Sequence, residues 1–154
     1  MILKDILTDG AVFSGLRPTS KKQALHLISA KAAARCGLPQ AQVLDAIMER
    51  EQLGSTGVGN GVAIPHARCA GLKDITGFFF RLDEPIDFEA VDDVPVDLIF
   101  LLLAPGNEGS GHLRSLAQVS RIMRRQDVRQ KIRNTPDADA ILALLSGAPH
   151  SDAA

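Results

Sequence analysis

The sequence is poor in the residues that mark several classes of protein. It has neither tryptophan nor tyrosine, two cysteines, and a formal net charge of -1. A nearly neutral chain with few aromatic residues lacks the positive, stacking surface typical of nucleic-acid-binding proteins. Cys36 and Cys69 form no CxxC pair and supply no disulfide framework, which predicts a reducing, cytoplasmic environment.

Long apolar runs are also missing. The longest one covers residues 98–105, far short of the ~20 residues that a membrane-spanning helix needs. The N-terminal MILKDILTDG interrupts its apolar residues with charges, unlike a signal peptide. A length of 154 residues fits one domain. We predict a cytoplasmic protein without membrane insertion, folded over residues 1–147 and ending in a flexible tail over residues 148–154.

The chain alternates helical and strand patterns. Ser20 followed by Gln23 resembles a capping box, so a helix is expected from there to Cys36, with Gly37 as its stop. The remaining patterns predict helices over 39–51, from His112, over 127–133 and from Thr135; strands over 62–64, 77–82 and 96–103; and a glycine-rich loop over 54–61. Because 96–103 is almost continuously apolar, it suits a central strand. The predicted fold is an α/β layered sandwich with a central mixed β-sheet flanked by helices.

The glycine-rich segment raises the question of a nucleotide site. Residues 54–61 have the glycine spacing of a P-loop, but Asn60 and Gly61 stand where that motif requires Lys and Ser/Thr. The segment also begins a dinucleotide fingerprint, but Val62 occupies the place of the third glycine. We therefore predict no nucleotide cofactor. A plain turn is the simpler alternative to an anion-binding loop, whose donors are predicted to be the backbone amides of Gly57, Gly59, Asn60 and Gly61.

His66, directly behind Pro65, is the candidate nucleophile. A neutral imidazole is nucleophilic near pH 7, and the proline restricts the backbone that leads to it. His112 opens a predicted helix, and Arg50 ends the helix before the glycine-rich segment; helix N-termini and arginine forks both suit anions. Each residue also has a purely structural interpretation. His66 would be a histidine bonded to a carbonyl, His112 a surface residue in the first turn of its helix, and Arg50 a cation that complements the dipole at a helix C-terminus.

Two other groups of residues deserve a prediction. His66, Cys69 and His112 lack the fourth ligand and the spacing of a zinc site, so no metal is predicted. A reactive Cys69 would require a lowered pKa. A late cluster of basic residues is expected to be a solvated helical face: Arg121, Arg124, Arg125, Arg129, Lys131 and Arg133.

Taken together, several blocks resemble the fructose/mannitol-type IIA domains of the bacterial phosphotransferase system. The blocks are GSTGVGNGVAIPHAR, RLDEPIDFEAVDDVPVDLIFLLLAP, GHLRSLAQVSRIMR and DADAILALL. They extend over nearly the entire chain, and the likeness is greatest to the nitrogen-regulatory branch. The resemblance implies that His66 accepts a phosphoryl group on Nε2, that His112 supports the transfer, and that Arg50 stabilises the phosphoryl group.

The resemblance also implies partners. The donor would be the HPr-like phosphocarrier of the nitrogen branch, and regulatory target proteins would respond to the phosphorylation state. Neither a metal nor another cofactor is expected. Two alternatives stay open: a sugar-specific IIA component that passes the phosphoryl group to a IIB domain, and a binding module that has lost transfer.

Overall fold

The computed structural model describes residues 3–107 and 110–147, so the predicted tail lies outside the described residues. Within these ranges a six-stranded mixed sheet is flanked by five α-helices, which confirms the predicted α/β layered fold. A 3₁₀ turn over Leu3–Asp5 precedes them. The strands are β1 Val12–Leu16, β2 Gly57–Gly59, β3 Val62–Ala63, β4 His66–Cys69, β5 Thr76–Ile86 and β6 Val96–Pro105; the helices are α1 Lys21–Cys36, α2 Gln40–Gln52, α3 Ser110–Met123, α4 Gln126–Arg133 and α5 Ala138–Ser146.

Strand β6 is the axis of the sheet. It pairs antiparallel with β5 on one side, and in parallel with β3 and then β4 on the other; β1 and β2 lie outermost. Its residues 98–103 are completely buried, as expected for an apolar run covered on both faces. Phe78, Phe79 and Phe80 of β5 are buried as well, at most 1% exposed. This core holds rigidly the strands that carry the site.

The helix ends follow local chemistry. At the start of α1 the Ser20 hydroxyl accepts the N–H of Gln23 at 3.1 Å, and Gly37 ends the helix with φ 69°, both as predicted. Helix α3 begins at Ser110, ahead of the predicted His112. The prediction that the last helix starts at Thr135 was wrong. Helix α5 starts at Ala138, because the Asp137 side chain caps it by accepting the N–H of Ala140 at 2.9 Å.

The glycine-rich segment is a hairpin and not the predicted open loop. Strands β2 and β3 pair antiparallel, and Asn60 and Gly61 turn between them with φ 59° and 78°. Positive φ at both central residues is the signature of a type I′ turn, for which Asn-Gly is the favoured pair. Gly57 has a different reason to be glycine, since an added Cβ would lie 2.7 Å from the Cβ of Ala90.

In the described ranges the longest helices are too short and too polar to cross a membrane.

Candidate functional site

Pro65 interrupts one strand of the sheet and places His66 at the first position of β4. Strands β3 and β4 both pair in parallel with β6, with the break at Ile64 and Pro65 between them. The proline has no N–H for the ladder, but its carbonyl accepts the N–H of Leu102 at 2.9 Å. The backbone beneath His66 is therefore fixed against the central strand.

The two ring nitrogens of His66 have different partners. Nδ1 lies 3.0 Å from the carbonyl oxygen of Ile64, which accepts hydrogen bonds and cannot donate them, so Nδ1 carries the proton. Arg50 donates from Nε to His66 Nε2 at 3.2 Å, and this contact requires a lone pair on Nε2. Both contacts specify the same neutral tautomer, in which Nε2 is the nucleophilic atom.

The fold brings the three predicted side chains together. Arg50 lies in the last turn of α2, where its Nη1 also donates to the Gly54 carbonyl at 2.8 Å. His112 lies in the first turn of α3, is 5% exposed, and has its ring centroid 5.6 Å from that of His66, with the planes tilted by 51°. Residues far apart in the chain thus form one cluster of a cation and two imidazoles.

The surroundings lower the pKa of His66 below its ordinary value of 6.5. Burial is the largest cause, because it disfavours the charged ring, and the positive charge of Arg50 acts in the same direction. The hydrogen bond to Ile64 and the negative charge of Glu51 oppose the change and raise the pKa. At pH 7 the ring is therefore in its neutral, nucleophilic form.

A shallow cavity of about 420 Å³ opens over this cluster. His66, His112 and Arg50 line it. Leu53 and Leu113 also line it and are 84% and 65% exposed. The exposed Glu49 and Arg68 line the cavity as well, and together with Leu53 and Leu113 they form its rim. An imidazole beside a guanidinium, in an open cavity with exposed leucines on its rim, suits an anionic group presented on the surface of another molecule.

A buried network behind His66 was missed in the sequence. Glu51, whose side chain is 5% exposed, accepts the Thr56 N–H at 3.2 Å and the Thr56 hydroxyl, and pairs with Lys21 at 2.9 Å. The Thr56 carbonyl accepts the N–H of Ile64 at 2.9 Å, and the Ile64 carbonyl bonds the ring of His66. Glu51 at a helix C-terminus and Lys21 at a helix N-terminus both oppose the helix dipole, a signal that each needs a partner.

The four predicted anion-binding amides lie elsewhere. The N–H of Gly57 donates to the Ser55 hydroxyl at 3.0 Å and that of Asn60 to the Asp92 carboxylate at 2.9 Å. Within the described part of the chain, the cavity over His66 is lined by none of the four: Gly57, Gly59, Asn60 and Gly61. The geometry therefore corrects this prediction: these residues build the hairpin, and the side chains of Arg50 and His112 face the cavity.

Cys69 does not share the site with His66. The two residues are three apart in β4, so their side chains leave opposite faces of the sheet. Burial raises the pKa of the Cys69 thiol above its ordinary value, which makes it an unreactive core residue.

Comparison with known proteins assigns the chain to a family. Residues 5–148 match the family described as "Phosphoenolpyruvate-dependent sugar phosphotransferase system, EIIA 2". The chain belongs to this family of type-2 IIA domains.

Within the family, the chain is similar to nitrogen regulatory proteins. It is 46% identical over 149 residues to the "Nitrogen regulatory protein" of Bradyrhizobium diazoefficiens, covering 97% of both chains. It is 39% identical over 144 residues to the protein of the same name from Pseudomonas aeruginosa, covering 93% of this chain and 94% of that one. The crystal structure of nitrogen regulatory protein IIA-Ntr from Neisseria meningitidis superposes with a TM-score of 0.87 at 36% identity, covering 93% and 98%.

Proposed function

We propose that the protein is a phosphoryl carrier of the nitrogen-related phosphotransferase system, and that His66 is its phosphoryl acceptor. The donor is the phosphohistidine of an HPr-like carrier, which docks on the rim of the cavity, where Leu53 and Leu113 are exposed. One observation carries the proposal: His66 is held with Nδ1 protonated and with the Nε2 lone pair toward Arg50. The two cysteines are free, which fits the reducing cytoplasm in which this system acts.

The transfer step is a displacement at phosphorus. The Nε2 lone pair of His66 forms a new N–P bond while the N–P bond of the donor breaks and its electron pair returns to the donor ring. A donor ring protonated on its other nitrogen leaves as a neutral imidazole, and the His66 ring takes over the positive charge. The Ile64 carbonyl stabilises that charge through Nδ1–H, while Arg50 and His112 stabilise the phosphoryl oxygens.

Phosphorylation changes the charge of the cavity. A phosphoryl group adds about -1.5 to -2 charges at pH 7, beside Arg50 and in the cavity that the exposed Leu53 and Leu113 also line. A protein that docks on this rim therefore meets two different surfaces, with and without the phosphoryl group. We infer that the output is regulatory, through target proteins that bind one form in preference to the other.

The test is phosphorylation in vitro. The protein is incubated with phosphoenolpyruvate and the purified carrier enzymes, and its intact mass is measured. We expect one acid-labile phosphoryl group on the wild type and on His26→Ala, a control that removes an exposed helical histidine, but none on His66→Ala. Labelling that persists in His66→Ala refutes the assignment, and an unlabelled wild type supports a binding module without transfer.

A sugar-specific role is the second candidate, because the family description names a sugar phosphotransferase system. Labelled protein is mixed with permease membranes and fructose or mannitol. Passage of the label to sugar supports this role; retention on the protein, together with different partners captured by wild type and His66→Ala, supports the regulatory one.

A further inference from the structure

A second cavity lies at the opposite end of β6 from His66. Its volume is about 440 Å³, between the turn of the β2–β3 hairpin, the start of β6 and the helix α4. Its polar lining residues are Asn60, Asp97, Gln126, Arg129, Gln130 and Arg133. In the described chain it shares no lining residue with the cavity over His66. Leu102, the β6 partner of His66, lies five positions after Asp97, a distance of about 16 Å along the strand.

Arg129 is the unusual residue of this cavity. It is 8% exposed, and its Nη1 donates to the Met123 carbonyl at 2.9 Å. Among residues 3–107 and 110–147, no other acceptor and no carboxylate is bonded to it. A guanidinium has five N–H donors, so its contact with the C-terminus of α3 uses a small part of its capacity. Burying a cation without a counter-ion costs free energy of desolvation. The remaining N–H donors of Arg129 are therefore suited to bind an anion.

The charge balance of the cavity defines that anion. Asp97 is already neutralised, because Arg133 donates to it from Nε at 3.0 Å and from Nη2 at 2.8 Å. The remaining Nη2 bond of Arg133 goes to the Asn60 carbonyl at 2.7 Å. The cavity is left with one uncompensated positive charge, on Arg129. A group with one negative charge and two oxygens in a plane matches both this charge and the guanidinium fork.

The rest of the lining sets the kind of molecule. Pro85, Val94 and Pro95 form an apolar wall, and the side-chain amides of Gln126 and Gln130 offer donors and acceptors. We propose that this cavity is a second ligand site, in which Arg129 binds the carboxylate of a small organic acid whose carbon chain packs on the prolines and Val94. The sequence predicted that the whole late basic cluster is a solvated face. That prediction was wrong for Arg129, which is buried.

The test is an NMR titration that follows the side-chain Nε–H of Arg129 and the backbone N–H of Asn60. It uses His66→Ala protein, which lacks the proposed phosphoryl acceptor, and both signals report on the second cavity because Arg129 and Asn60 line it. The probes are acetate, succinate and inorganic phosphate at one fixed salt concentration. We expect saturable shifts at both signals with the carboxylates. Arg124→Gln, which removes an exposed cation of the same segment, is expected to keep them.

Two variants make the outcome decisive. Arg129→Gln removes the charge, and the carboxylate shift at Asn60 is expected to vanish. Arg129→Lys keeps the charge but loses the fork, and serves if the first variant fails to fold; we expect carboxylate binding about tenfold weaker, the equivalent of about 1.4 kcal/mol. Binding unchanged in either folded variant overturns the proposal, as does the absence of a saturable shift. Phosphate that binds Arg129 more tightly than both carboxylates overturns the ligand class.

Discussion

Replacing Glu51 by glutamine tests whether the buried network behind His66 stabilises the fold. The carboxylate is 5% exposed, lies 2.9 Å from Lys21 Nζ, and accepts from both the N–H and the hydroxyl of Thr56. Removing one partner of a fully buried pair costs about 3–5 kcal/mol. Lys21 is 17% exposed and keeps Glu89 at 3.2 Å, with the Phe88 ring at 4.9 Å. Because the lysine keeps these partners when Glu51 loses its charge, we expect the free energy of unfolding to fall by less than for a fully buried pair, by about 2 kcal/mol.

Urea denaturation measures this loss, and a double-mutant cycle with Lys21→Met isolates the contribution of the ion pair. The control is Glu49→Gln, the same chemical change at an exposed position of α2, which is expected to stay within about 0.5 kcal/mol. A loss in Glu51→Gln no larger than in the control, or a coupling energy below about 0.5 kcal/mol, places the pair among surface salt bridges and refutes the reasoning.

Three further predictions concern the site and the hairpin. Because the pKa of His66 is lowered, the unfolded state binds more protons than the folded one between that pKa and 6.5. The free energy of unfolding should therefore fall as the pH drops through this window. Urea denaturation should show a smaller fall for His66→Gln than for the wild type, and an equal fall would contradict the lowered pKa. His112→Gln should slow phosphoryl acceptance at least tenfold with little change in melting temperature. Rapid-quench kinetics and a thermal melt measure these two quantities. A large loss of stability with an unchanged rate would make His112 structural. Gly61→Ala should cost about 1–2 kcal/mol, since φ is 78° and the added Cβ meets the Arg133 guanidinium; an unchanged urea midpoint would contradict the strain.

The long elements were predictable because their patterns are local. The apolar run of β6 and the Ser20 and Gly37 caps of α1 each specify structure within a few residues. Strand β4 was missed because its four residues, HARC, alternate too briefly after a proline to produce a signal. The hairpin did carry its signal in Asn60-Gly61, but the abundance of glycine favoured the interpretation as an anion-binding loop.

The residues of the candidate site also differ in whether a local sequence signal predicted them. His66, His112 and Arg50 were singled out because each stands in a chemically distinctive position of the sequence, and the fold places them together. Glu51 and Arg129 were not, because charged residues on helices are ordinarily solvated. Their burial depends on which elements pack against them, and that arrangement is set by tertiary structure.

The pairing of β4 with the central strand has a consequence for recognition. Since the backbone before and after His66 is bonded to β6, the ring has a rigid base, and we expect the proposed phosphorylation to leave the backbone conformation unchanged. Under the proposed function, partners are expected to distinguish the two forms by electrostatic potential and not by a moving loop. Such discrimination acts within about one Debye length, roughly 8 Å at physiological salt, so it belongs to residues that touch the rim and fades as salt is raised.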